Sequence, residues 1–143
     1  MKFAIVRVRG RRKVAPKIKH TLELLLLGRP NNCILVDDTP QNIGMLKIVK
    51  DYIAYGPVAE DTIFKLLHKR GKKGRQLLRS LLKDEEIKKA ANDIFAGKKT
   101  KNYANPVFKL RPPSRGYKNI KLSYPMGDLG KRDDMDSLLK RMM

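Results

Sequence analysis

The stretch NNCILVDDTPQNIGMLKIVKDYIAYG, residues 31 to 56, decides the fold. Asn32 to Val36 is short, apolar and rich in β-formers, which predicts a buried strand. Thr39 followed by Pro40 marks a helix start. The hydroxyl can cap the first turn, and proline's missing N–H costs nothing there. Ile43, Leu46 and Val49, with Met45 beside them, then recur at helical spacing. Tyr52 to Tyr55 reads as another strand, ended by Gly56-Pro57. Asp37 and Asp38 sit just outside the positive end of the helix, where carboxylates are stabilised. A catalytic or metal-binding carboxylate pair would need a partner His or Glu, and none is near in sequence. Gly44 is costly inside a helix, by roughly 1 kcal/mol against Ala. Close helix packing and close approach of a phosphate backbone both explain it.

Upstream, Lys2 to Arg9 alternates at period two. Ala4, Val6 and Val8 face one way, and this all-apolar side should meet the core. Phe3, Ile5, Arg7 and Arg9 face the other. Gly10 ends the strand and permits a tight turn. Pro16 opens a helix whose stripe is Ile18, Leu22, Leu25 and Leu26, stopped by Gly28 and Pro30. Residues 1–57 therefore read β-α-β-α-β, an α+β two-layer unit with helices on one face of a small sheet.

Downstream the chain is mostly helical. Helices are expected at about 59–69, 85–96 and 134–142. Asp84 should cap the second, with Ile87, Ala91, Ile94 and Phe95 inward. Asp133 or Asp134 should cap the third, with Met135, Leu138, Leu139 and Met142 on one face. Val107 to Leu110 reads as a strand, and Pro112-Pro113 should stiffen an exposed arm. The glycines of KRGKKGR, residues 69 to 75, suit close approach to phosphates, but the run lacks the Gly-Lys-Ser/Thr of a phosphate-binding loop.

Charge narrows the function. The 143 residues carry 33 Lys plus Arg against 14 Asp plus Glu, a net +19. No acid precedes Glu23, and two further acid-free windows run from Phe64 to Lys83 and from Ile94 to Gly127. Such segregation opposes compaction and predicts a polyanionic partner, of which nucleic acid is the commonest. Cys33 is the single cysteine, so no internal disulfide can form and a reducing compartment is expected. Cys33 itself reads as a small buried apolar residue. No apolar run exceeds Leu24 to Leu27 and no signal peptide is apparent, so a soluble intracellular protein with no membrane contact is expected.

Chemistry-bearing patterns are sparse. His20 and His68 lie in different helices beside basic residues and read as surface or contact groups. No Cys/His ligand set, dinucleotide fingerprint or activated nucleophile is recognisable. We expect no enzyme, cofactor, metal or small-molecule substrate. A base-reading sheet would offer two or three aromatics, and the first strand offers only Phe3. Recognition of phosphates and of folded RNA shape fits better.

Five segments together resemble one family: VRVRGRRKVAPKI from Val6, LLGRPNNCILVDDTPQNIGMLKIVKDYIAYG from Leu26, KLLHKRG from Lys65, FKLRPPSRGYK from Phe108, and GDLGKRDDMDSLLKRMM from Gly127. The sequence is similar to the large-subunit ribosomal protein family called L-thirty in bacteria and archaea and L-seven in eukaryotes. Bacterial members are similar only to residues 1–57. The extension, 58–143, resembles the archaeal and eukaryotic form, and the archaeal form fits best. The stretch from Arg75 to Lys101 departs most from the family pattern. The resemblance implies a three-stranded antiparallel sheet with strand one central, related to the ferredoxin-like fold, with the extension packed on it. It implies no catalysis. It implies a cytoplasmic place in the large subunit, contacting large-subunit rRNA, close to 5S rRNA and among neighbouring ribosomal proteins.

On this basis Arg9, Arg11, Arg12, Lys13, Lys17 and Lys19 are expected to form a first RNA contact. Arg29 and the Thr39-Pro40 helix start should form a neighbouring one. Arg70, Lys72, Lys73 and Arg75 should line another, and Arg111, Arg115 and Lys118 should thread an arm into RNA grooves. The alternative is a free-standing basic nucleic-acid-binding protein or RNA chaperone.

Overall fold

The structure is a computed structural model that describes residues 2–143. The chain runs β1 (Lys2–Arg7), α1 (Pro16–Leu24), β2 (Asn32–Asp37), α2 (Pro40–Val49), β3 (Ile53–Pro57) and α3 (Glu60–Arg70). A short hairpin follows, β4 (Lys72–Lys73) and β5 (Gln76–Leu77), then α4 (Leu78–Leu81), α5 (Asp84–Phe95), a 3-10 turn at Thr100–Asn102, β6 (Phe108–Lys109), β7 (Gly130–Lys131) and α6 (Met135–Met142).

The main sheet has five strands, not three, in the order β6-β2-β1-β3-β7. Its centre is the expected arrangement: β1 lies between β2 and β3 and is antiparallel to both. β6 adds antiparallel to β2, and β7 adds parallel to β3. β6 lies within the strand expected at Val107 to Leu110, whereas β7, two residues long, is too short to show a hydrophobic period in sequence. The register sets two ends. At one, Arg7 pairs with Ile53 and Val6 with Cys33; at the other, Lys2 pairs with Asp37 and Phe3 with Pro57.

Both faces of β1 are buried, which corrects the two-layer reading. Phe3 and Ile5 pack with Leu22, Leu25, Leu27, Leu46 and Val49 beneath α1 and α2. Ala4, Val6, Cys33 and Ala54 pack on the opposite side against apolar residues of α3, α5 and α6. The architecture is therefore helix, sheet, helix. Met135, Leu138, Leu139 and Met142 are all fully buried here, each contributing about 1.5–3 kcal/mol by leaving water. The Met-rich face of the C-terminal helix is covered by the protein's own sheet, so it needs no neighbouring protein. Asp134 caps this helix, accepting from the Ser137 N–H at 3.3 Å.

Helix α1 ends earlier than expected, and Gly28 does not end it. The Leu27 N–H donates to the Leu22 carbonyl and the Leu26 N–H to that of Glu23. This is a left-handed termination, with Leu26 at φ 59° where glycine is usual. Leu26 consequently points to solvent, and Leu27 takes its place in the core. In α5, Asp84 is the first helical residue and not the cap. The Glu86 carboxylate instead accepts from the Lys83 N–H at 3.1 Å. Phe95 at the other end of α5 is 38% exposed, not inward.

Glycine is required where β7 joins the sheet. A Cβ on Gly56 would overlap the Arg132 carbonyl oxygen, because the Arg132 N–H donates to Tyr55 at 2.7 Å. The buried Arg132–Asp128 ion pair anchors the preceding loop, with Asp128 also accepting from the Lys118 and Asn119 N–H groups. Cys33 is fully buried, and burial pushes its thiol up to about 12, as suits an inert packing residue.

Candidate nucleic-acid interface

The turn after β1 is organised by Arg7, a residue 4% exposed whose guanidinium has no acidic partner among the described residues. Its Nη1 donates to the Leu27 carbonyl at 2.7 Å, its Nε to that of Arg9 at 3.0 Å and its Nη2 to that of Gly10 at 3.1 Å. Burial, with Arg11 nearby, holds this guanidinium below its ordinary value, yet an arginine starts so high that it stays charged. One buried cation thus ties the basic turn to the end of α1. Sequence pattern placed Arg7 on the strand's second face but did not assign it this role. Nothing in a single sequence marks an arginine that binds carbonyls.

Around that anchor, Arg9, Arg11, Arg12 and Lys13 join Tyr52 in lining one concavity of about 760 Å³. Arg9 lies over the Tyr52 ring, 5.1 Å from its centroid, a cation–π contact that extends a flat surface toward solvent. The left-handed residue of the turn is Lys13, at φ 55°, and not Gly10. Arg11 and Lys19 share a second cleft with Arg7 and Glu23. Lys17 is exposed two residues earlier on α1 and lines neither.

The register shows which of the other candidates gather here. Arg29 lies at the same end of the sheet, because the Asn31 N–H donates to the Arg7 carbonyl. Lys109 opposite Asn32 also lies here, as does Arg111, since the Leu110 N–H donates to Asn31. Thr39 does not. Asp37, two residues before it, pairs with Lys2 at the far end, about 17 Å away at 3.3 Å per residue. Arg29 and Thr39 are therefore not neighbours. The Thr39 hydroxyl is committed to its own helix, accepting from the Asn42 N–H at 3.3 Å. Pro40 has no N–H and the Ile43 N–H bonds Thr39's carbonyl, which leaves the Gln41 amide in that turn for any anion. Asp37 is held at 2.5 Å by the buried Lys2 ammonium. Gly44 on α2 faces open space, with nothing within 4 Å of where a Cβ would be. Helix packing does not account for it.

The arm of Arg111, Arg115 and Lys118 folds back on the body over its first part and does not thread outward there. The Arg111 and Ser114 N–H groups donate to the Met142 and Arg141 carbonyls, closing the end of α6. Tyr117 donates to Asn31 at 2.8 Å, and burial raises its hydroxyl to about 12. The three basic side chains remain exposed. Beyond them the loop presents Ile120, Leu122 and Met126 to solvent.

Arg70, Lys72 and Arg75 line a separate cleft with Lys69 and Lys109, while Lys73 does not. Lys69, Lys109 and Asn105 also line this cleft, and the only sequence signal for them is that the two lysines lie in acid-free windows. The acids Asp37, Asp38, Glu60 and Asp61 lie at or just past the opposite end of the sheet; Glu23 and Asp51 are placed near the basic end. Among the described residues no three His, Cys, Asp or Glu side chains gather to hold a metal ion, and no helix is long and apolar enough to cross a membrane.

Comparison with known proteins gives a consistent set of relatives. A family model described as ribosomal protein L30p/L7e matches residues 3–53. The chain is 41% identical to the large ribosomal subunit protein uL30 of Archaeoglobus fulgidus, over 98% of this chain and 99% of that one. It is 37% identical to the protein of the same description from Methanococcus maripaludis, over the full length of both. It is 33% identical to that of Methanothrix thermoacetophila, over 98% of this chain and 99% of the relative.

Proposed function

The chain belongs to the ribosomal protein L30p/L7e family, and from that premise we propose that it is a structural constituent of the large ribosomal subunit that binds and stabilises folded rRNA in the cytoplasm. It is a ribosomal protein and not an enzyme. The observation that carries the RNA-binding reading is the gathering of cations at one end of the sheet. Arg9, Arg11, Arg12, Lys13, Lys19, Arg29 and Arg111 lie where β1 ends and where β2 and β3 begin. A surface on which cations outnumber the acids Glu23 and Asp51 is stabilised by phosphate, through attraction and counterion release.

Within this proposal, residues 1–57 are the ribosomal core and 58–143 an archaeal-type extension packed on its second face. Arg70, Lys72, Lys73 and Arg75 make a further phosphate contact, and Arg115 and Lys118 another at the folded-back arm. Lys17 flanks the first contact. Thr39 belongs to a separate contact at the far end of the sheet, made through the Gln41 amide and the open surface at Gly44. Large-subunit rRNA is the main partner, with 5S rRNA and other ribosomal proteins nearby.

Two measurements test this. The protein is expected to co-sediment stoichiometrically with large subunits after a high-salt wash; recovery only at the top of the gradient would refute the ribosomal reading. Arg11→Ala with Arg12→Ala should weaken binding to large-subunit rRNA and flatten its salt dependence by about 0.7–0.9 log units per lost phosphate contact. An unchanged slope would remove these residues from the interface. Crosslinks from the 118–129 loop and the basic turn, mapped on intact subunits, test the place of 5S rRNA.

A further inference from the structure

The β4–β5 hairpin has two residues in each strand, too few to stand alone. Asn105 holds it. The Asn105 backbone N–H donates to the Lys72 carbonyl at 2.8 Å. Its side-chain Nδ2 donates to the Gly74 carbonyl at 3.1 Å, and its Oδ1 accepts from the Gly74 N–H at 3.3 Å. So clasped, the hairpin forms one wall of a cleft of about 380 Å³, whose other walls are the end of α3 and strand β6. Lys69, Arg70, Lys72, Arg75 and Lys109 line it, with no Asp or Glu. Arg70 donates through Nη2 to the main-chain oxygen of Met143 at 3.2 Å, while its buried Nε has no partner among the described residues. A cluster of cations around a concave space with no lining acid is unfavourable unless an anion enters. At the hairpin tip, Gly74 has φ 66° and open space where a Cβ would be, so a ligand can approach its backbone closely.

We propose that this cleft is a phosphate clamp: it takes a short run of phosphodiesters from one RNA strand between hairpin and sheet edge, with Asn105 as the positioning residue that keeps the clamp open. The proposal rests on the RNA-binding reading above and adds a discrete, saturable site to it. The basic turn offers phosphate a wide concavity of about 760 Å³, whereas this cleft, at about 380 Å³, is the narrower of the two.

The test is a titration of the full chain with inorganic pyrophosphate, followed by NMR at the Arg70 Nε–H and the Gly74 amide. Both signals should shift saturably. Lys109→Gln, an exposed substitution that leaves the fold intact, should weaken binding several-fold, and Asn105→Ala at least tenfold. Arg11→Ala should leave the two signals' titration unchanged. The proposal is overturned if these signals stay still while those of the basic turn move, or if Lys109→Gln titrates like the unmodified chain. Sedimentation of the unmodified protein with large subunits is scored separately, so loss of the clamp and loss of the ribosomal reading give different results.

Discussion

Replacing Arg7 with methionine separates the anchor of the basic turn from the turn's own charges. Methionine keeps the unbranched stem and most of the volume, so the cavity contribution is small. What is lost is three hydrogen bonds. The bond to Leu27 is buried at 2.7 Å, and a hydrogen bond from a charged donor there is worth about 1.5–3 kcal/mol. The bonds to Arg9 and Gly10 are partly exposed, so water can replace them and each contributes about 0.5–1 kcal/mol. Relief of an unpaired buried charge offsets part of this. The net expectation is a loss of about 2–3 kcal/mol. For a chain of 143 residues that lowers Tm by about 6–12 °C. Arg7→Lys, which keeps the charge but loses the fork of donors, should fall between the two. Urea melts measure the free energy, and amide exchange at residues 9–13 reports whether the turn has come loose. A methionine variant within about 0.5 kcal/mol of the parent, or unchanged exchange in the turn, would refute the anchor; a stabilised variant would show that repulsion outweighs the hydrogen bonds.

Three other outcomes are expected. Leu26→Gly should stabilise by about 0.5–1 kcal/mol in a denaturant melt, because the left-handed conformation at φ 59° is strained for leucine and free for glycine; a loss would mean that the exposed leucine packs on something. Gly44→Ala should raise helix stability by about 1 kcal/mol, since the new methyl meets nothing within 4 Å, yet lower rRNA affinity if a phosphate backbone lies there; affinity equal to the parent's would rule out that approach. The carboxyls of Asp134 and Asp93 are held below their ordinary values, by the bond to Ser137 and by the bond from Tyr103 respectively. Their contribution is complete above the unfolded carboxylate pKa of about 3.9 and is lost as pH falls through the lower folded values. Asp93→Asn with Asp134→Asn should therefore flatten the acid limb of the stability curve; parallel curves would deny both groups a role.

Local chemistry made much of this legible. Thr39-Pro40 announced α2, and the period-two run announced β1. The apolar stripe of Met135, Leu138, Leu139 and Met142 marked the buried face of α6. The misses share a cause: each depends on what a distant segment supplies. β6 falls inside the strand expected at Val107 to Leu110, but β7 is two residues long and exists only because Tyr55 offers an edge to pair with. Leu26 and Leu27 are indistinguishable in sequence, and the direction of the helix's final turn decides which is buried. Basic blocks gave the residue types of the interface, but only the antiparallel register shows that Arg29 belongs with the turn and that Thr39 does not.

The placement of charge along the sheet has a kinetic consequence. With cations concentrated where β1 ends and the acids Asp37, Asp38, Glu60 and Asp61 at or just past the opposite end, the net positive charge is spread unevenly along the sheet. In the field of a polyanion such a body rotates before it touches, so encounters begin with the basic end leading. Orientation, which ordinarily makes docking slow, is then partly solved at a distance. The association rate should fall steeply as salt shortens the screening length, while the dissociation rate, set by contacts already made, changes much less.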